Sequence, residues 1–218
     1  KRLVGYMNNN FQFAFYYYDK RISLEMNHSL SDGSGAIRFL NAVIFEYLRL
    51  SGKEVVADES IITLDSHVRM EELEDGYAAN YTEAALNPPK VPRAYNYKRK
   101  MFRNHGSGVI NSFIDSESLL KLARDANATI TQYVVALLIY STIINGDKSK
   151  LRKRPVNICV PINLRSTYKS ETLSNFSLYF HSSYQMVSES PDFMEILSKV
   201  KTDFVNENTK EKIQSKLN

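Results

Sequence analysis

The sequence is poor in cysteine, tryptophan and proline: 218 residues hold one Cys, no Trp and six Pro. A single thiol, Cys159, excludes an internal disulfide and fits a reducing compartment, so a cytoplasmic location is expected. No apolar run reaches the roughly 18 residues needed to cross a bilayer, and no membrane partner is expected. The longest run, Tyr133 to Ile144, is short and is interrupted by Tyr140, Ser141 and Thr142. The first ten residues lack the apolar stretch of a signal peptide. With no starting Met and an early strand pattern, the sequence reads as a fragment of a longer chain. Eight glycines exclude a collagen repeat, while 43 % hydrophobic and 24 % charged residues argue against gross disorder and a coiled coil. A globular chain of one large or two small domains remains. The net charge of +4 permits an anionic ligand without calling for nucleic acid.

The residues present show clear periodicity. Phe11, Phe13 and Phe15 alternate with polar or small neighbours, and Ile22, Leu24 and Met26 alternate with Ser23, Glu25 and Asn27. A hairpin turning at Asp19-Lys20-Arg21 is predicted. If the second strand continues to residue 28, His28 shares the inward face of Met26. Residues 29–35, with Gly33 and Gly35, read as a loop whose glycines are free for positive φ. A helix follows, with Ile37, Leu40, Ile44, Tyr47 and Leu48 on one stripe and Gly52 as its stop.

Residues 53–108 read as a crossover with little core. Its acidic part (Glu71, Glu72, Glu74, Asp75) and basic part (Lys98 to Arg103, with Tyr95, Tyr97 and Phe102) both read as solvated surface. From 109 to 218 a second subdomain is expected. Its predicted elements are a strand Val109–Ile114, a helix capped at Asp115 or Ser116, a buried helix Gln132–Ile144 capped by Thr131, and strands Val156–Ile162 and Phe176–Val187. A last helix, starting at Ser190-Pro191, has the stripe Phe193, Ile196, Leu197, Val200 and Phe204, and a polar tail follows Asn206. The fold class expected is α/β, an α+β sandwich of a mixed sheet with flanking helices.

Several chemistries find no support. The histidines (28, 67, 105 and 181) lack ligand spacing, so no metal is expected. Gly33-Ser34-Gly35 is not a nucleophile elbow, and no phosphate-binding glycine loop is present. Cys159 reads as a buried, inert thiol and His181 as an outer-face residue. The strongest candidate is His28-Ser-Leu-Ser-Asp32-Gly33: an imidazole at a strand end is a general base near neutral pH, and Asp32 can cap the helix or anchor the loop.

This motif, with Val160-Pro161-Ile162-Asn163-Leu164-Arg165 and Leu173-Ser174-Asn175-Phe176, resembles the chloramphenicol acetyltransferase-like acyltransferase superfamily. Its members include alcohol acetyltransferases, polyketide-associated acyltransferases, plant acyl-CoA acyltransferases and the condensation domains of peptide synthetases. Their signature is H-H-x-x-x-D-G, and here Asn27 replaces the first His. The resemblance implies that His28 deprotonates an alcohol or amine acceptor, which attacks an acyl thioester. It implies that Asp32 and Arg165 pair to hold the loop, that Gly33 lets the helix begin tightly, and that Asn175 lies near the substrate tunnel. It implies acetyl-CoA or another acyl-CoA as co-substrate, with no bound cofactor. By this reading residues 1–52 end the first half of such an enzyme, 53–108 cross over, and 109–218 form an incomplete second half. The fragment alone is then expected to be inactive, and its open apolar surface to favour a homo-oligomer. The alternatives are a condensation-type domain taking thioesters from an acyl carrier protein, and a catalytically silent binding or scaffold member.

Overall fold

The computed structural model describes residues 9–83, 92–97 and 110–218. In chain order these form β1 (Phe13–Tyr18), β2 (Arg21–Met26), α1 (Gly33–Leu50), α2 (Met70–Leu73) and α3 (Gly76–Asn80). Then come α4 (Ser116–Asp125), α5 (Ile130–Asn145), α6 (Lys148–Leu151), β3 (Val156–Asn163), α7 (Arg165–Tyr168), β4 (Ser177–Tyr184), α8 (Phe193–Glu207) and α9 (Lys210–Leu217). Helices and strands are both present, but the single mixed sheet expected is not formed among the described residues. Two two-stranded sheets, β1–β2 and β3–β4, take its place. No single described helix is long and apolar enough to cross a membrane.

The chain forms two compact units that do not follow the three-part order read from the sequence. The first comprises residues up to 84, the returning segment 161–178 and the last two residues; the second comprises 85–160 and 179–216. The basic run 98–103 and residue 109 lie outside the described residues.

In the first unit the hairpin forms as predicted, antiparallel with Phe13 opposite Met26 and Phe15 opposite Leu24. Asp19 turns it with φ of 51°, a left-handed conformation that Asp tolerates better than most residues. The rings of Phe13 and Phe15 lie 5.1 and 5.7 Å from that of Phe39, seating α1 on one face of the hairpin. This seating leaves Ile37 and Tyr47, which the predicted stripe placed inward, 59 % and 55 % exposed. The helix ends in a Schellman motif: Gly52, at φ of 75°, donates to Arg49, and Lys53 donates to Leu48. Gly52 is the only described glycine with positive φ, so the freedom expected of Gly33 and Gly35 is not used. The crossover is not empty of structure. Its helices α2 and α3 bury Glu72 and Gly76.

In the second unit α5 packs against α8. Val135, Ala136, Ile139 and Ile143 on one side and Ile196, Leu197 and Val200 on the other are buried. Tyr133 and Tyr140 set ring edges against Phe193 at 5.2 and 6.0 Å. The outer side of α5 stays open, with Leu137 and Leu138 exposed, so this helix is not central as its composition implied. Phe180 of β4 meets Phe204 edge to face at 5.0 Å. The sequence alternation that sets Leu178, Phe180, Ser182, Tyr184 and Met186 on one face matches the buried positions from Phe180 onward, with Leu178 half-buried. Two helix starts differ from expectation. Thr129, not Thr131, caps α5, in a capping box with Gln132. Asp192, not Ser190, caps α8 by accepting from Met194 N–H. The polar tail folds as α9 and buries Ile213. Residues 110–114 form no strand, and Phe113 is exposed.

The capping box makes a direct prediction. Thr129→Ala removes the acceptor for Gln132 N–H and should lower stability by about 0.5–2 kcal/mol in urea unfolding. Thr131→Ala, one turn position away from that role, should change it by less than about 0.5 kcal/mol.

Candidate functional site

The site lies within the first unit and is built around one buried ion pair. Arg165 Nη1 donates to Asp32 Oδ2 at 2.7 Å, with side chains only 14 % and 6 % exposed. Asp32 occupies the N-cap of α1, in extended backbone geometry, and its Oδ1 accepts from Ser34 and Gly35 N–H at 3.0 and 3.3 Å. Its Oδ2 also accepts from Phe176 N–H at 2.9 Å. Both oxygens are thus committed. Burial pushes the Asp32 carboxyl pKa up, but the hydrogen bonds from Arg165, Phe176 and Gly35, with the guanidinium charge, outweigh it and hold it below the usual value.

Arg165 is equally committed. Its Nε donates to Thr172 O and its Nη2 to Ser174 O, both at 2.8 Å, and Nη1 also reaches Asn163 Oδ1 at 3.1 Å. The planar fork of arginine suits these divergent acceptors, where lysine offers a single ammonium. Asn163 in turn donates through Nδ2 to Ser34 Oγ at 2.9 Å, tying the end of β3 to the first turn of α1. The structure therefore brings Asp32 and Arg165 together as a brace across 133 residues of sequence.

His28 sits elsewhere than parity placed it. β2 stops at Met26, and residues 27–30 make a turn closed by Leu30 N–H donating to Asn27 O at 2.9 Å. Asn27 holds that turn: its Oδ1 accepts from Ser29 N–H and Ser29 Oγ–H at 3.1 and 3.0 Å, and its N–H donates to Gln12 O at 2.8 Å. The exposed His28 side chain is therefore off the inward face of the strand. Its imidazole is open to solvent, and three residues separate it from Asp32 of the brace.

The glycine assigned by sequence is also corrected. A methyl group on Gly33 would meet nothing, whereas one on Gly35 would overlap the Leu173 carbonyl oxygen and the Ser31 hydroxyl. That hydroxyl donates to Leu173 O at 2.6 Å. Gly35, not Gly33, lets α1 start against the 170–176 segment. Asn175 lies in that segment and accepts from Ser177 Oγ at 3.0 Å. Cys159, expected buried, is exposed on β3. His181 stands edge-on to Tyr179 at 5.4 Å.

Sequence reasoning missed a second cluster. Buried Glu72 accepts from Arg69 at 2.8 Å and Arg38 at 3.4 Å, and Arg69 also reaches Glu171 at 2.6 Å. The Arg69 hydrogen bond, working against burial, holds the Glu72 carboxyl below its usual pKa. A cleft of about 220 Å³ lies beside the brace, lined among others by Ser34, Gly35, Arg38, Arg165 and Leu173 but not by His28. Only spacing could have signalled these residues: Arg69 and Glu72 sit three apart, the reach of one helical turn.

The arrangement offers an exposed imidazole on a short turn, followed by a carboxylate whose every lone-pair direction is used for support. No family model matches the chain, and no curated protein matches it.

Proposed function

We propose that this chain belongs to an acyltransferase of the chloramphenicol acetyltransferase-like kind, with His28 as general base. The observation that carries the reading is the Asp32–Arg165 brace at 2.7 Å immediately after the His28 turn. An aspartate four positions after His28 could have served as its partner. Here it faces an arginine at the start of α7 instead, as the motif resemblance implies. The tunnel role of Asn175 stays part of this proposal.

The chemistry then runs in balanced steps. The neutral imidazole takes the proton of an alcohol or amine as the heteroatom attacks the thioester carbonyl. The tetrahedral adduct collapses, the C–S bond breaks, and the imidazolium returns the proton to the departing thiolate. The brace keeps the turn and the start of α1 in one place while charge develops on the imidazole.

The test compares the natural full-length protein with its His28→Ala variant for thiol release from acetyl-CoA, over a panel of alcohols and amines. A loss of about a hundredfold in kcat is expected, within the range for a general base. Turnover that ignores His28 overturns the reading. Turnover with carrier-bound thioesters but not acetyl-CoA moves the donor to an acyl carrier protein.

A further inference from the structure

The short helices of the crossover reach the Asp32 carboxylate of the brace through the Phe176 side chain. Phe176 is fully buried. Its N–H holds Asp32 Oδ2 at 2.9 Å, and its carbonyl accepts from Leu164 N–H, one residue before Arg165, at 3.2 Å. One residue therefore contacts Asp32 directly and the backbone beside Arg165. Its ring is gripped by residues from α3. A methyl group on Gly76 would lie 2.7–2.8 Å from three ring atoms, so only a glycine admits the ring at this distance. Tyr77 stands edge-on to the ring at 5.3 Å and 87°. The Tyr77 hydroxyl donates to Ser177 O at 2.6 Å and accepts from Ser177 N–H at 3.1 Å. A single phenol oxygen thus satisfies both backbone groups of the residue after Phe176. Two further ties hold the same stretch: Thr172 Oγ1 donates to Glu74 O at 2.5 Å, and Leu173 N–H donates to Glu72 O at 2.8 Å.

We infer that Gly76 and Tyr77 are positioning residues. They fix Phe176, and Phe176 fixes the Asp32 carboxylate of the brace that follows the His28 turn. The link to the brace stands on the geometry alone, and its catalytic consequence rests on the acyltransferase reading. The crossover, by this account, tunes the site without touching a reacting atom.

The experiment uses the natural full-length protein and two variants. Tyr77→Phe keeps the ring and removes the hydroxyl, while Gly76→Ala pushes on Phe176. Amide hydrogen exchange is read residue by residue, together with the ¹³C carboxyl resonance of Asp32 and the steady-state kinetics. In Tyr77→Phe, which removes both hydrogen bonds to Ser177, exchange at Phe176 and Ser177 should rise about tenfold or more above any change in the second unit. The Asp32 resonance should move, and kcat should fall about fivefold with KM for the thioester unchanged. Gly76→Ala should show the same local pattern, more strongly. Unchanged exchange at Phe176, or a rise spread evenly over both units, overturns the inference. So does a local rise that leaves Asp32 and kcat as they were in an active enzyme. If the unaltered protein turns over no thioester, the acyltransferase reading fails, and exchange with the Asp32 resonance still decides the clasp.

Discussion

Arg165→Ala should destabilise the protein by about 3–5 kcal/mol, the range for removing one partner of a buried ion pair. The substitution does more than delete an attraction. It leaves the Asp32 carboxylate, 6 % exposed, without its cation, and leaves Thr172 O and Ser174 O without their donors. Arg165→Lys retains charge, but one compact ammonium cannot reach the four divergent acceptors on Asp32, Asn163, Thr172 and Ser174 at once, so an intermediate loss is expected. Urea unfolding at neutral pH measures both, and a loss below about 1 kcal/mol for the alanine variant would remove the brace as a source of stability. The pH dependence carries a sign. The folded Asp32 pKa lies below its unfolded value, so the stability it contributes is full above the unfolded carboxyl pKa and vanishes as pH falls through the folded one. The gap between wild type and Arg165→Ala should therefore be widest at neutral pH and narrow below about pH 4.

Gly35→Ala is the second large effect expected. The added methyl group overlaps a backbone carbonyl, which has no rotamer to escape into, and the Ser31 hydroxyl that bonds to it. Overpacking of this kind costs about 1–3 kcal/mol, occasionally more. Displacing the Ser31–Leu173 hydrogen bond adds about 0.5–1.5 kcal/mol. The sum approaches that of losing Arg165 although no charge is touched. Gly33→Ala is the matched control. It meets empty space at an ordinary φ, so it should be neutral or gain up to about 1 kcal/mol from reduced freedom of the unfolded chain. Equal effects at the two positions would refute the close approach of α1 to the 170–176 segment.

Much of the fold was legible where periodicity is long. The hairpin, α4, α5 and α8 each repeat their pattern over several residues, and the alternation in β4 names its buried face correctly. Strand ends are harder, because a period of two carries no stop signal. The stop after Met26 comes from Asn27, whose side chain closes a turn on Ser29, and this moved His28 off the inward face. The crossover helices, of four and five residues, are too short to show any period. Glu72 was hidden inside an acidic run, since composition cannot separate a buried paired carboxylate from a solvated one. Cys159 has apolar neighbours, yet it alternates with the buried Val156 and Val160 and so lies on the open face of β3, which a continuous apolar run does not reveal. In the site, Asp32 and Arg165 were found through the motif resemblance. Gly33 was named in place of Gly35 because a motif letter records identity and not the distance to another segment.

The return of residues 161–178 to the first unit sets an order of events during synthesis. Asp32 leaves the ribosome 133 residues ahead of Arg165. At about 5–20 residues per second, the nascent carboxylate waits on the order of ten seconds for its guanidinium. Throughout that interval the first unit lacks β3's end, the Phe176 ring and every tie from residues 170–177. Its completion is thus a long-range closure, the slow kind of step that leaves partly folded chains open to chaperones and to one another.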